Sequence, residues 1–222
     1  MISGILKVVA SIGMSLPGNS PAVTRATPPE APLDAARLVA TLRREAPART
    51  AYVEVRFSGM LERPLILRGE MEYLGPGRLA KRVDAPWHEY TAVDGGTASL
   101  QRGDKPARTL PLAQVPELEG FLRGFSALLG GDPATLARDF SLAASGNPGR
   151  WQLVLKPREA RLARRVVSLR VDGSGTEPWC FRTEDADGDV GFLLVGPLAS
   201  SPVPARVSAI QVDGLCRGIA LK

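Results

Sequence analysis

AYVEVRFS, residues 51–58, and LILRGEMEY, residues 65–73, decide how this chain folds. In the first, Val53, Val55 and Phe57 alternate with Glu54, Arg56 and Ser58. In the second, Leu65, Leu67, Met71 and Tyr73 alternate with Arg68, Glu70 and Glu72, and Gly69 stands at the centre. A period of two is that of a strand with one dry and one wet face. The two stretches are read as consecutive antiparallel strands that turn their apolar residues to the same side, bending most easily at Gly69.

Outward from this pair the pattern repeats. Leu79 to Val83, Glu89 to Val93 and Thr97 to Gln101 continue as strands, the last two joined by the hairpin signal Asp94-Gly95-Gly96. The period then changes. Leu118, Phe121, Leu122, Phe125, Leu128 and Leu129 form an apolar stripe at helical spacing, closed by Gly130-Gly131. Asp132-Pro133 opens a second short helix with Leu136 and Phe140 on its buried side. Strands return at Trp151, Leu153 and Leu155, at Val167, Leu169 and Val171, at Trp179, Phe181 and Thr183, and at Val190 to Val195. The stretch Val207 to Val212 reads as an edge strand or a strap.

Toward the N-terminus, Asp34 is placed to cap a helix through Ala35, Leu38, Val39 and Leu42 that Pro47 ends. Residues 17–33 hold Pro17, Pro21, Pro28, Pro29 and Pro32 among small polar residues, the composition of a linker. Before it, Lys7 precedes a mildly apolar run from Val8 to Leu16, which has the form of an export signal; a misplaced start or a cytoplasmic chain is the alternative. Residues 1–33 are therefore read as signal and linker, and residues 34–222 as one domain. Helix, about five strands, two helices and about four strands make an α+β fold in which a large antiparallel sheet curls around the helices.

Composition narrows the function. The chain has 222 residues and a net charge of +5, spread among interleaved acidic residues and not gathered into a stripe. No nucleic-acid reading module accompanies it, and the Arg158–Arg165 stretch reads as an exposed connection, so nucleic acid is not expected as a partner. His88 is the single histidine, so a Ser-His-Asp or Cys-His set would have to use it; beside Trp87 and Glu89 at a strand start it reads as a surface or packing residue, and one histidine with two distant cysteines makes no His-rich metal site. Asp185, Asp187 and Asp189 around Gly188 suggest a hairpin turn, because the later bidentate Glu of a calcium loop is missing. Glu70 and Glu72 lie on the expected wet face, and no glycine-rich stretch has the Lys and Ser or Thr of a phosphate loop. No metal or cofactor is expected, and no enzyme activity. Cys180 and Cys216 are the only cysteines; they pair in an oxidising compartment and stay as buried thiols in a reducing one.

Five segments carry a family resemblance by their order: the strand ending in Phe57, Gly69 to Tyr73 leading into Gly75-Pro76, Gly77-Arg78-Leu79 up to Pro86, the hairpin at Val93-Asp94-Gly95, and the strand from Trp151 to Pro157. In that order they resemble the LolA and LolB lipoprotein-carrier family over roughly residues 34–196. The resemblance implies an unclosed β-barrel covered by a helical lid, with a hydrophobic cavity that receives the acyl chains of a lipoprotein or other lipid in the periplasm. It also implies a monomer working with an inner- or outer-membrane partner. The expected cavity wall is Val53, Val55, Phe57, Leu65, Leu67, Met71, Tyr73, Leu79, Trp151, Leu153, Leu155, Leu169 and Phe181, and the expected lid is Leu118, Phe121, Leu122, Phe125 and Leu129. The family carrier has an arginine before the proline of its second-strand motif that ties the lid shut, and Gly75 stands there in this chain. The alternative reading is a protein-binding module of the same fold, with a packed core and an edge strand open to a partner.

Overall fold

A computed structural model describes residues 33–221, so the expected signal and most of the linker lie outside the described residues. Asp34 caps α1 (Ala35–Thr41), its carboxylate accepting from the backbone N–H of Ala36 and Arg37 at 2.9 and 3.2 Å. Six strands follow: β1 (Ala48–Phe57), β2 (Leu65–Gly75), β3 (Arg78–Ala85), β4 (Glu89–Asp94), β5 (Thr97–Arg102) and β6 (Arg108–Pro111). Next come α2 (Pro116–Leu129) and α3 (Pro133–Asp139), then β7 (Phe140–Asn147), β8 (Arg150–Pro157), the single turn α4 (Ala160–Ala163), β9 (Val166–Ser174), β10 (Glu177–Asp185) and β11 (Val190–Val195). The described chain ends with α5 (Ala209–Cys216).

The strands form one antiparallel sheet in the order β6-β5-β4-β3-β2-β1-β11-β10-β9-β8-β7. It is two meanders joined where β1 pairs with β11, and it does not close. Both edge strands escape the sequence reading. β6 is only four residues long, and β7 is rich in Ser, Ala and Gly, so neither shows an apolar alternation. Phe140, expected on a helix, is the first residue of β7. Gly69 sits where the β2–β3 ladder slips register, and a Cβ there would lie 1.8 Å from the Arg82 carbonyl oxygen. The Tyr52 ring lies across from Gly69, and its hydroxyl donates to that same carbonyl at 3.2 Å.

Two apolar layers cover the sheet, one on each face. The helices and the concave face enclose Leu38, Val39, Phe125, Leu128, Leu136, Phe140, Leu153, Leu155 and Val171, all buried. The convex face is covered by the C-terminal segment, where Val203, Val207, Val212 and Leu215 pack on Val53, Val55, Phe192 and Leu194. This corrects the expected direction of β1. Val53 stands opposite Leu194 and Val55 opposite Phe192, so Val53, Val55 and Phe57 point away from the helices, while Tyr52 and Glu54 point toward them. A strand at the centre of the sheet is wanted by both layers, and valine alternation does not say which layer takes it.

The tail is neither edge strand nor strap over Val207 to Val212; it folds as α5. Ser208 and Gln211 form a reciprocal cap, with Gln211 N–H donating to Ser208 Oγ at 3.3 Å and Ser208 N–H to Gln211 Oε1 at 2.9 Å. Cys180 and Cys216 are bonded, fixing α5 to β10. Around them Arg170, itself buried, bridges Asp172 at 2.9 Å and Asp213 of α5. The Arg158–Arg165 stretch is not simply an exposed connection, since Leu162 of α4 is buried in the concave core.

Candidate functional site: a groove beneath the long central helix

α2 begins with Pro116, whose missing N–H costs nothing in a first turn, and ends where Gly131 takes a left-handed φ of +63°. Its buried side is Phe125, Ser126, Ala127 and Leu128. Gly124 lets α2 press close to α3 and β7, since a Cβ there would come within 2.2 Å of the Phe140 ring. Phe125 meets Phe181 of β10 with ring centroids 5.5 Å apart, and Phe121 stacks on Phe125 at 6.5 Å. Over β8 to β10 the seam is therefore filled: Trp151, Leu153, Leu155, Leu169 and Phe181 all point to the helices and are buried.

The other side of α2 is different. Between it and the turns of the β2–β4 meander lies a half-open groove of about 740 Å³, within the range of about 300–1,000 Å³ typical of small-molecule sites. Its apolar lining includes Tyr73, Leu79, Val93, Leu112, Leu122 and Ala127, and its rim carries Arg43, Arg44, Glu45, Glu119, Arg123 and Asp132. Of the expected wall and lid, three residues line this groove: Tyr73, Leu79 and Leu122. Leu65, Leu67 and Met71 share the concave face but sit further down β2. Phe121, Leu122 and Leu129 of α2 pack against the concave core half-buried, and Leu118 is also half-buried. Val93, Leu112 and Ala127 are groove residues that the sequence reading omits. Val93 is the turn-proximal partner of Leu79 in the β3–β4 ladder, so register alone would have named it.

The helix α2 is tied to the sheet at this groove. Gly77 N–H, in the β2–β3 turn, donates to Ser126 Oγ of α2 at 2.8 Å, and Ser126 is buried. This contact stands one turn-residue from Pro76, so the chain with Gly75 in place of an arginine still fastens turn to helix, by a neutral hydrogen bond. A second tie runs from Arg44 N–H to the Leu129 carbonyl at 2.8 Å. The guanidinium of Arg44 holds Glu177 through two contacts of 2.9 Å, and that of Arg123 holds Asp139 at 2.8 and 3.1 Å.

One charged cluster lies on the concave face itself. Glu54 accepts from both Lys81 and Arg56, and the Lys81 ammonium stands 5.0 Å from the centre of the Tyr52 ring. Burial alone would raise the Glu54 carboxyl, but Lys81 and then Arg56 outweigh it and hold the group below its ordinary 4.5. Burial pushes the Tyr52 hydroxyl well up, with Glu54 adding to the shift, so it stays protonated. The Asp185–Asp189 turn closes the β10–β11 hairpin. Burial and the neighbouring Asp187 and Asp189 raise the Asp185 carboxyl.

The sequence profile described as "Outer membrane lipoprotein carrier protein LolA-like" matches residues 26–219. The chain belongs to this LolA-like family. Among solved structures, this LolA-like chain is similar to a LolA superfamily protein, NE2245, from Nitrosomonas europaea, at 11% identity and a TM-score of 0.41, over 76% of this chain and 92% of that one. LprF from Mycobacterium bovis is similar at 12% identity and a TM-score of 0.34, over 79% and 98% of the two chains. A DUF1329 family protein from Desulfovibrio piger follows at 10% identity and a TM-score of 0.33, over 85% and 97%. A search of curated proteins finds no match. The LolA-like family accounts for an unclosed sheet around helices, and among the described residues no helix is long and apolar enough to cross a membrane.

Proposed function

We propose that this LolA-like protein carries or senses lipidated or lipid-like molecules in the periplasm, taking an acyl chain into the groove between α2 and the β2–β4 meander. The observation that carries this reading is the groove: about 740 Å³, floored by Tyr73, Leu79, Val93 and Leu112, beneath a helix that is apolar where it faces the sheet. Each methylene moved from water into such a lining contributes about 0.8 kcal/mol, so a long chain supplies a strong driving force. Entry enlarges the groove by moving α2, and release follows when the helix returns to the same apolar wall. On the groove side α2 is tied by two single hydrogen bonds, Gly77 N–H to Ser126 Oγ and Arg44 N–H to the Leu129 carbonyl, which suits a helix end that must lift and return.

Native purification followed by lipid mass spectrometry tests the reading, together with Leu79→Glu, which places a carboxylate in the groove floor. The wild-type protein is expected to retain acyl lipid, and the folded variant to lose it. A wild-type protein free of lipid that also fails to bind a neutral fluorophore such as N-phenylnaphthylamine refutes it.

A further inference from the structure

The groove has one polar end, and a tyrosine marks it. Tyr73 lines the groove and is only 6% exposed, yet its hydroxyl makes no hydrogen bond with any described residue. Tyr52, the other buried tyrosine of the sheet, donates to the Arg82 carbonyl. Phenylalanine would pack the Tyr73 position as well, so packing alone does not require this oxygen. A buried hydroxyl left without a partner costs about 1–3 kcal/mol, a cost that a polar group placed in the groove removes. The hydroxyl reaches from the floor to the C-terminal end of α2, since a Cβ on Gly130 would lie 3.1 Å from its oxygen.

The chain between α1 and β1 walls this same end. A Cβ on Gly131 would lie 2.7 Å from Arg43 Cβ, and one on Gly75 would lie 3.9 Å from Ala46 Cβ, so residues 43–46 run from the α2–α3 turn to the β2–β3 turn. Arg43 lines the groove, is exposed, and makes no ion pair or hydrogen bond with any described residue. Its charge reaches the hydroxyl: burial raises the Tyr73 group above its ordinary 10.0, and Arg43 pulls it back. The other two arginines of the rim are committed, Arg44 to Glu177 and Arg123 to Asp139. Three carboxylates share the rim. Asp132 accepts the Thr135 N–H at 3.0 Å as the cap of α3, Glu119 acts on Arg123 one turn along α2, and Glu45 makes no ion pair with Arg43.

We infer that Tyr73 and Arg43 together receive the anionic oxygens of an amphiphile whose hydrocarbon chain lies in the groove. A phenolic O–H and a guanidinium both donate to such a head, and the guanidinium offers two parallel N–H groups to a carboxylate or phosphate. The inference rests on the carrier reading and narrows its cargo to molecules with an acidic head.

Displacement of N-phenylnaphthylamine by hexadecanoate, hexadecyl phosphate, hexadecanol and hexadecyltrimethylammonium tests it on the full chain, each competitor being compared with the alcohol within one protein. At least one of the two anions is expected to compete about tenfold or more better than the alcohol, and which anion leads distinguishes a carboxylate from a phosphate head. Tyr73→Phe is expected to cut that ratio about fivefold without lowering the melting temperature, and Arg43→Gln to cut it at least as far. Arg37→Gln removes the same charge from a side chain 90% exposed on α1, outside the groove lining, and is expected to leave the ratio unchanged. Four results overturn the inference and leave the carrier reading standing: equal competition by anions and alcohol in the wild type, a cation that outcompetes both anions, a ratio that survives either groove substitution or falls only together with the melting temperature, and an equal loss with Arg37→Gln. If the fluorophore does not bind the wild type at all, the carrier reading itself falls.

Discussion

Removing the Ser126 hydroxyl is the most informative single change to α2. Ser126→Ala deletes one oxygen from a buried position and leaves Gly77 N–H, 2.8 Å from where the acceptor stood, without its partner. A lost hydrogen bond of this kind costs about 1 kcal/mol when the stranded donor regains water. Global stability should fall by that amount, and the population with α2 lifted should rise about fivefold, since both changes draw on the same contact. Hydrogen exchange resolved along the chain measures this: amides of residues 118–129 should exchange about fivefold faster, while those of β9 to β11 change no more than the global stability requires. Uptake of a fluorescent lipid should quicken in step. If α2 amides exchange as in the wild type while global stability drops, the Ser126–Gly77 contact is ordinary packing and α2 does not lift at this point.

Three further outcomes follow from the two-layered sheet. Replacing Cys180 and Cys216 by Ala opens a bridge that spans 36 residues of chain, which costs about 4 kcal/mol by loop entropy and lowers the melting temperature by roughly 10 °C; an unchanged melt would show that the Arg170–Asp213 contacts already hold α5. Val55→Ala should destabilise the fold by about 1–2 kcal/mol without changing lipid affinity, because its side chain lies in the layer covered by the C-terminal segment; weakened binding at unchanged stability would return β1 to the cavity wall. Glu54 has a folded-state pKa below 4.5, so the stability it contributes is present above that pH and is lost as pH falls through the lower folded value. Glu54→Gln should accordingly flatten the acid limb of the stability curve, and identical limbs for the two proteins would refute the pairing.

The strands whose apolar residues are wanted by one layer alone were legible from alternation. Leu65, Leu67, Met71 and Tyr73 on β2, Leu153 and Leu155 on β8, and Leu169 on β9 all face the helices as their spacing implied. The central strand β1 was misread because its valines serve the convex layer, and that layer comes from a C-terminal segment some 150 residues away in sequence, near Val203 and Val212. The clue is local: Ser208-x-x-Gln211 is a reciprocal helix cap, so Val207 to Val212 belongs at a helix start and needs a face to cover. Edge strands β6 and β7 leave no periodic signal because the first has only four residues and the second is rich in Ser, Ala and Gly. The groove was legible in its chemistry and not in its place. Tyr73, Leu79 and Leu122 line it, but α2 closes tightly over Phe181 through Phe125, a choice of side that depends on Gly124 admitting the Phe140 ring.

A photoactivatable fatty acid, cross-linked to the folded protein and mapped by peptide mass spectrometry, tests the central claim most directly. Adducts are expected on the peptides that hold Tyr73, Leu79, Val93, Leu112 and Leu122, and an excess of unlabelled fatty acid should abolish them. Adducts confined to the convex layer around Val203 to Cys216, or none that unlabelled fatty acid displaces, would contradict the carrier account.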